Sequence, residues 1–180
     1  DTCYVVTLDE RKSSRRDLRV VKLSSNGNII WNKWYDHSGV EVGNFIVENT
    51  RGYIILGQTS SIPSRGDESI LIQIDKKGDF IWNKTVGDGG NNEGSIAIIK
   101  KSPNEYIWSG IRRDVFNSNS EEEFSLYNIN QYGNVNWHFV YGGNREDRMM
   151  DMDTANDGNP IMLGYTKTYG AGGFDFLVIK

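Results

Sequence analysis

The chain has 180 residues, the size of one ordinary domain, with 20 basic and 24 acidic side chains for a net charge of −4. This mild acidic balance without a basic stripe excludes the usual footprint of a nucleic-acid-binding protein. No apolar run approaches the roughly 18 residues of a membrane span, and a single cysteine, Cys3, excludes an internal disulfide.

Gly, Asn, Ser, Tyr and Trp are abundant and Ala and Leu scarce, which suits strands and turns rather than helices. No signal peptide is visible. The chain opens almost directly on a strand, residues 3–8, as it would if a leader or preceding domain had been removed. Cys3 reads as a small buried residue of that strand; an intermolecular link or the remnant of a lipid-attachment site are the functional alternatives.

A second strand is expected at 17–23, after a basic stretch holding Arg11, Lys12, Arg15 and Arg16 that reads as a solubilising loop. The segment Asn26-Gly27-Asn28-Ile29-Ile30-Trp31-Asn32-Lys33 follows, a glycine turn entering a strand at 28–35, with Trp four residues after the Gly. Strands at 42–48, 52–58 and 68–75 lead to a second copy, Lys77-Gly78-Asp79-Phe80-Ile81-Trp82-Asn83-Lys84, with its strand at 79–86. Strands at 94–100, 105–111 and 124–131 lead to a third, Tyr132-Gly133-Asn134-Val135-Asn136-Trp137-His138-Phe139, with its strand at 134–141. Strands at 148–154, 159–165 and 175–180 complete the chain.

The Trp residues are spaced by 51 and 55. The apolar runs ending at Gly57, Gly110 and Gly164 are spaced by 53 and 54, and a glycine there allows a bulge or the close approach of a neighbouring backbone. Strands 17–23, 68–75, 124–131 and 175–180 alternate apolar and polar residues, the pattern of a strand with one buried face. With the four strands of a unit lettered A to D, the order is B-C-D, then A-B-C-D twice, then A-B-C.

The expected fold is therefore all-β, with propeller-type blades of four antiparallel strands repeating every 51–55 residues in one domain over 1–180. The units are 1–35 (partial), 36–86, 87–141 and 142–180 (partial). A β-sandwich does not require one fixed spacing, and the coils of a β-solenoid are much shorter.

The A–B and C–D turns are short. The B–C connections (9–16, 59–67, 112–123, 166–174) and the D–A connections (36–41, 87–93, 142–147) are longer, varied and at one end, where function is expected.

The run from Val20 to Trp31, and that from Ile72 to Trp82, resemble a repeat common in secreted and cell-surface proteins of bacteria and archaea. Tyr141-Gly142-Gly143-Asn144 and the run from Gly164 to Asp175 resemble further pieces of it. The resemblance implies a propeller of the quinoprotein-like (PQQ-like) class, whose tryptophan motif also sets Trp four residues after a turn Gly, in an extracellular or cell-surface protein. It is a resemblance of scaffold: no quinone- or metal-binding set matches, and one Cys allows no vicinal pair. The third unit departs from the pattern at Asn136, His138 and Phe139 and in the insertion of its 112–123 loop.

Trp31, Trp82 and Trp137, fixed in every unit, are expected to pack between blades. Trp34, Tyr35, Tyr141 and Tyr169 are the candidate ligand-binding residues, lining a protein or glycan site on the long-loop face. The run from Asp151 to Gly158 fails the calcium-loop spacing, since Asn156 stands where the sixth position needs Gly; it reads as a strand and its turn. The run from Gly87 to Gly94 lacks the Lys and helix of a phosphate loop, and a metal between Asp88 and Glu93 is a minor alternative. His37 and His138 lack partners at metal-ligand spacing and read as solvated or packed. Glu121, Glu122 and Glu123 read as a solvated edge, and Asn83-Lys84-Thr85 matches the glycosylation pattern.

No catalytic constellation and no cofactor site is found. The expected function is a non-enzymatic extracellular binding or adhesion module. The alternative is a structural surface protein that self-assembles through open blade edges into an oligomer or filament, and an enzyme fragment ranks third. Because strands B and C occur in both partial units, simple closure fails. The expected partner for the open ends is a second copy or the remainder of a longer propeller.

Overall fold

The structure, a computed structural model, describes residues 2–12, 15–35, 41–60, 68–86, 91–114 and 121–180. Fourteen strands and no helix are found among them. They form four antiparallel sheets without crossovers. The first sheet is β1 (Cys3–Lys12), β2 (Arg15–Ser24) and β3 (Ile29–Tyr35). The second is β4 (Glu41–Asn49), β5 (Gly52–Thr59), β6 (Glu68–Ile74) and β7 (Phe80–Val86). The third is β8 (Asn91–Ser102), β9 (Glu105–Asp114), β10 (Glu123–Asn130) and β11 (Val135–Tyr141), and the fourth is β12 (Asp147–Thr154), β13 (Pro160–Thr166) and β14 (Asp175–Ile179). The count and the three-four-four-three grouping are those read from the repeat.

Three of the expected long connections, 9–16, 87–93 and 112–123, are shorter than the sequence suggests. β1 and β2 stay paired out to Lys12 opposite Arg15, so 9–16 is mostly a hairpin whose tip, 13–14, lies outside the described residues. β8 begins at Asn91, opposite Asp114 of β9. Charged residues hid both extensions, because ladder hydrogen bonds belong to the backbone and do not need an apolar side chain.

Period-two alternation gives each middle sheet two buried faces, and the sheets stack in chain order. In β5, Tyr53 and Ile55 join Leu18 and Val20 of the first sheet, while the intervening Ile54 and Leu56 join Tyr106 and Trp108 of the third. Met149, Met152 and Met162 of the fourth sheet pack on Ile107 and Phe124 of the third.

Two irregularities recur and explain the conserved spacing of glycine and tryptophan along the chain. Each of β4, β8 and β12 carries a bulge opposite a glycine of its neighbour, at Gly43/Phe45, Ser95/Ala97 and Met149/Asp151. A Cβ on Gly57, Gly110 or Gly164 would strike the carbonyl oxygen of Val42, Gly94 or Arg148. The bulge and the close approach are thus one feature. A second bulge in each C–D hairpin leaves Ile30, Ile81 or Asn136 unpaired immediately before the Trp.

That second bulge serves a lock between sheets. Trp31 lies against Gly78, with its Cε3 3.1 Å from where a Cβ would stand, and its indole Nε1 donates to the Lys76 carbonyl at 3.2 Å. Lys33, two residues on, pairs with Asp79 at 2.8 Å. The next sheet repeats two of these three contacts: Trp82 lies against Gly133, 2.6 Å from the Cβ position, and Lys84 donates to Asn134, whereas the buried Trp82 indole Nε1 has no hydrogen-bond partner among the described residues. Trp137 has no described glycine turn ahead of it and is exposed, tilted against Phe139 at 5.3 Å. The departure of the third unit from the pattern falls where the described chain offers no next turn to clamp.

Candidate functional site

Of the long connections, 142–146 and 167–174 are the ones described throughout, and they meet at the junction of the third and fourth sheets. Their anchor is Asp147, fully buried at the start of β12. Its carboxylate accepts the hydroxyls of Thr166 and of Thr168, the latter at 2.6 Å, and its backbone N–H donates to the Glu122 carbonyl at 2.7 Å. The Thr166 hydroxyl oxygen accepts the backbone N–H groups of Thr168 and Tyr169, both at 3.1 Å. A buried carboxylate is tolerable only when its lone pairs are satisfied in this way, so the first turn of the 167–174 loop is fixed and Tyr169 is aimed.

Tyr169 is aimed at Tyr141. The rings stand 5.6 Å apart, inclined at 41°, and the Tyr169 hydroxyl donates to the Gly142 carbonyl at 3.3 Å. Tyr141 is seated from below by Phe124, stacked at 4.8 Å. Burial, then the neighbouring Tyr169 and Asp147, pushes the Tyr141 phenol up. Both rings keep exposed faces, 47% of Tyr169 being accessible.

A second layer braces the loop. Lys167 donates to Glu146 at 2.6 Å and lies over the Phe174 ring at 4.1 Å. The Tyr165 hydroxyl also donates to Glu146, at 3.2 Å. The Lys167 hydrogen bond and charge hold the Glu146 carboxyl below its usual range. The same two loops also form an open groove of about 330 Å³, lined by Asn144, Arg145, Lys167, Thr168, Gly170 and Gly172 rather than by the two tyrosines. Aromatic faces together with amide, guanidinium and hydroxyl groups on the same pair of loops suit a ligand with apolar faces and a polar rim.

The other two candidates lie elsewhere. Trp34 is on the outward face of the first sheet, under the Arg19 guanidinium at 5.1 Å. Tyr35, on the opposite face, is buried in the core between the first and second sheets, and its hydroxyl donates to the Gly78 carbonyl at 2.7 Å. The structure thus brings Tyr141 and Tyr169 together but leaves Trp34 and Tyr35 on another sheet.

His138 is packed, stacked on Tyr127 at 3.9 Å, which in turn stacks on Trp108 at 4.1 Å. The run from Asp151 to Gly158 is strand β12 and its turn, with Gly158 in the left-handed region at φ 79°. His37 and Asp88 lie outside the described residues, as do the side chains of Glu93 and of Arg11, Lys12, Arg15 and Arg16. Among the described residues, no group of three or more His, Cys, Asp or Glu gathers as a metal site would require.

Sequence reasoning missed Asp147, Thr166 and Thr168. The signal was present: an acidic residue immediately precedes each strand expected at 42–48, 94–100 and 148–154, namely Glu41, Glu93 and Asp147, spaced by 52 and 54. No protein-family model matches the chain, and no curated protein sequence matches it.

Proposed function

We propose that the four sheets are propeller-type blades and that the chain is a non-enzymatic binding module, acting outside the cell or at its surface, for a glycan or protein held at the long-loop end. The observation that carries this reading is the Tyr141–Tyr169 pair, on loops anchored by the buried Asp147 that also line the 330 Å³ groove. Rigid aromatic platforms lose little conformational entropy on binding, and the loop that presents them is hydrogen-bonded before any ligand arrives. The extracellular location rests on the resemblance of the repeat to those of secreted proteins. The blade reading rests on the sheet stack and on the recurring tryptophan lock.

A glycan array followed by titration of the best binders tests the proposal. Tyr169→Ala is expected to lower affinity by tenfold or more, and Trp34→Ala, on another sheet, to leave it unchanged. Binding that survives Tyr169→Ala, or an absence of signal from glycans and from extracellular protein ligands alike, would contradict it.

A further inference from the structure

The 142–146 and 167–174 loops are stapled together at successive levels. The Thr168 hydroxyl lies 3.4 Å from the Arg145 carbonyl, the Lys167 backbone N–H donates to the Glu146 carbonyl at 2.9 Å, and below them the Thr166 hydroxyl donates to the Asp147 carboxylate. The groove between the loops is therefore shaped before any ligand arrives. Its volume of about 330 Å³ is at the small end of the roughly 300–1,000 Å³ of small-molecule sites, enough for one substituted sugar unit rather than an extended chain.

What distinguishes this groove is the sign of its chemistry. The side chains lining it, Asn144, Arg145, Lys167 and Thr168, offer an amide, a guanidinium, an ammonium and a hydroxyl, and no carboxylate is among them. The nearby carboxylates are engaged elsewhere. Glu146 accepts Lys167 and the Tyr165 hydroxyl, Asp147 is buried on Thr166 and Thr168, and Asp175 accepts the Ala171 backbone N–H at 3.1 Å. Glu146 also answers the Lys167 charge, at 2.6 Å. Arg145 is different. It is exposed, and among the described residues its guanidinium has no ion pair and no hydrogen bond. Thr168 spends its proton on Asp147, so the donors left to the groove are Arg145, Asn144 and the remaining Lys167 protons. Gly172 adds bare backbone, with nothing within 4 Å of where a Cβ would stand.

Taking the chain as a binding module, as proposed above, we infer that the groove takes the carboxylate or sulfate of an acidic glycan and that Arg145 is the residue that reads it. A planar guanidinium meets the paired oxygens of either group with two parallel hydrogen bonds, a geometry that a neutral hydroxyl cannot match. Tyr169 stands between Thr168 and Gly170, two of the lining residues, and its exposed face suits the C–H face of a sugar. That aromatic platform on the same loop favours a glycan over an acidic peptide.

Calorimetric titration with matched sugars tests the inference. One arm sets a galacturonic acid tetrasaccharide against its carboxyl-reduced counterpart, and the other a sulfated oligosaccharide against its desulfated form. In at least one arm the acidic member is expected to bind about tenfold or more tightly, and the arm that responds identifies the anion. Arg145→Ala, at an exposed position, should bring that ratio close to one. Arg145→Lys, which keeps the charge but loses the fork, should recover only part of it. Tyr169→Ala should weaken acidic and neutral members alike and leave the ratio in place. Equal binding of both members through Tyr169, or a ratio that survives Arg145→Ala, would overturn the acidic subsite and leave the binding module standing. An Arg145-dependent preference for acidic peptides over acidic glycans would likewise overturn it. No binding by any glycan or extracellular protein ligand would overturn both.

Discussion

At the scale of single residues, the unit of this architecture is a tryptophan against a glycine. Gly27, Gly78 and Gly133 share a left-handed backbone, with φ of 80°, 81° and 72°, a region that costs other residues roughly 1–2 kcal/mol. They differ in what they meet: Gly78 has Trp31, Gly133 has Trp82, and Gly27 has nothing within 4 Å. Tyr35 reinforces the first of these locks through its hydrogen bond to the Gly78 carbonyl. Burial, followed by the charges of Asp79 and Asp75, pushes its phenol well above the ordinary tyrosine value. A raised acid holds its proton more tightly when folded than unfolded. Its contribution is therefore complete below the unfolded pKa of about 10 and is lost as pH rises beyond it. Urea denaturation of wild type and Tyr35→Phe at about pH 8 and pH 11 should show the wild type losing more stability on the alkaline side, and parallel losses would refute this role.

At the scale of elements, the same residue type at equivalent positions has opposite energetic weight. Leu56→Ala removes a fully buried side chain between the second and third sheets and should cost about 2–5 kcal/mol. Leu163→Ala, at the equivalent position of the fourth sheet, should cost less than about 1 kcal/mol in chemical denaturation. Equal costs would mean that the fourth sheet is covered within the chain. The strands themselves were legible in the sequence, because alternation and glycine turns are local signals. The bulges were legible only as glycine spacing, since the extra residue shows itself in pairing register. The Asp147–Thr166–Thr168 anchor was not found, because it joins residues about 20 positions apart whose polarity alone suggests a solvated loop. Tyr141 and Tyr169 were found as aromatics beside long loops. Their partnership depends on that hidden anchor, which is why Trp34 and Tyr35 looked equally suitable.

At the scale of the molecule, four sheets stack because no sheet with two apolar faces can be stable alone, and the repeat sets the order in which they do so. The clipped end carries the tryptophan locks, and the long-loop end carries the tyrosine pair. Packing and presentation are therefore separated along the strand direction, which leaves loop residues free to vary without disturbing the stack. The claim beneath the blade reading is that the tryptophan of one sheet lies on the glycine turn of the next. Proton NMR of the glycine Hα resonances tests it directly, because an indole face shifts protons above it strongly upfield. The Hα signals of Gly78 and Gly133 should be shifted and should show cross-relaxation to the Trp31 and Trp82 rings, with Gly27 at an ordinary position. Three unshifted glycines without indole contacts would contradict the stack.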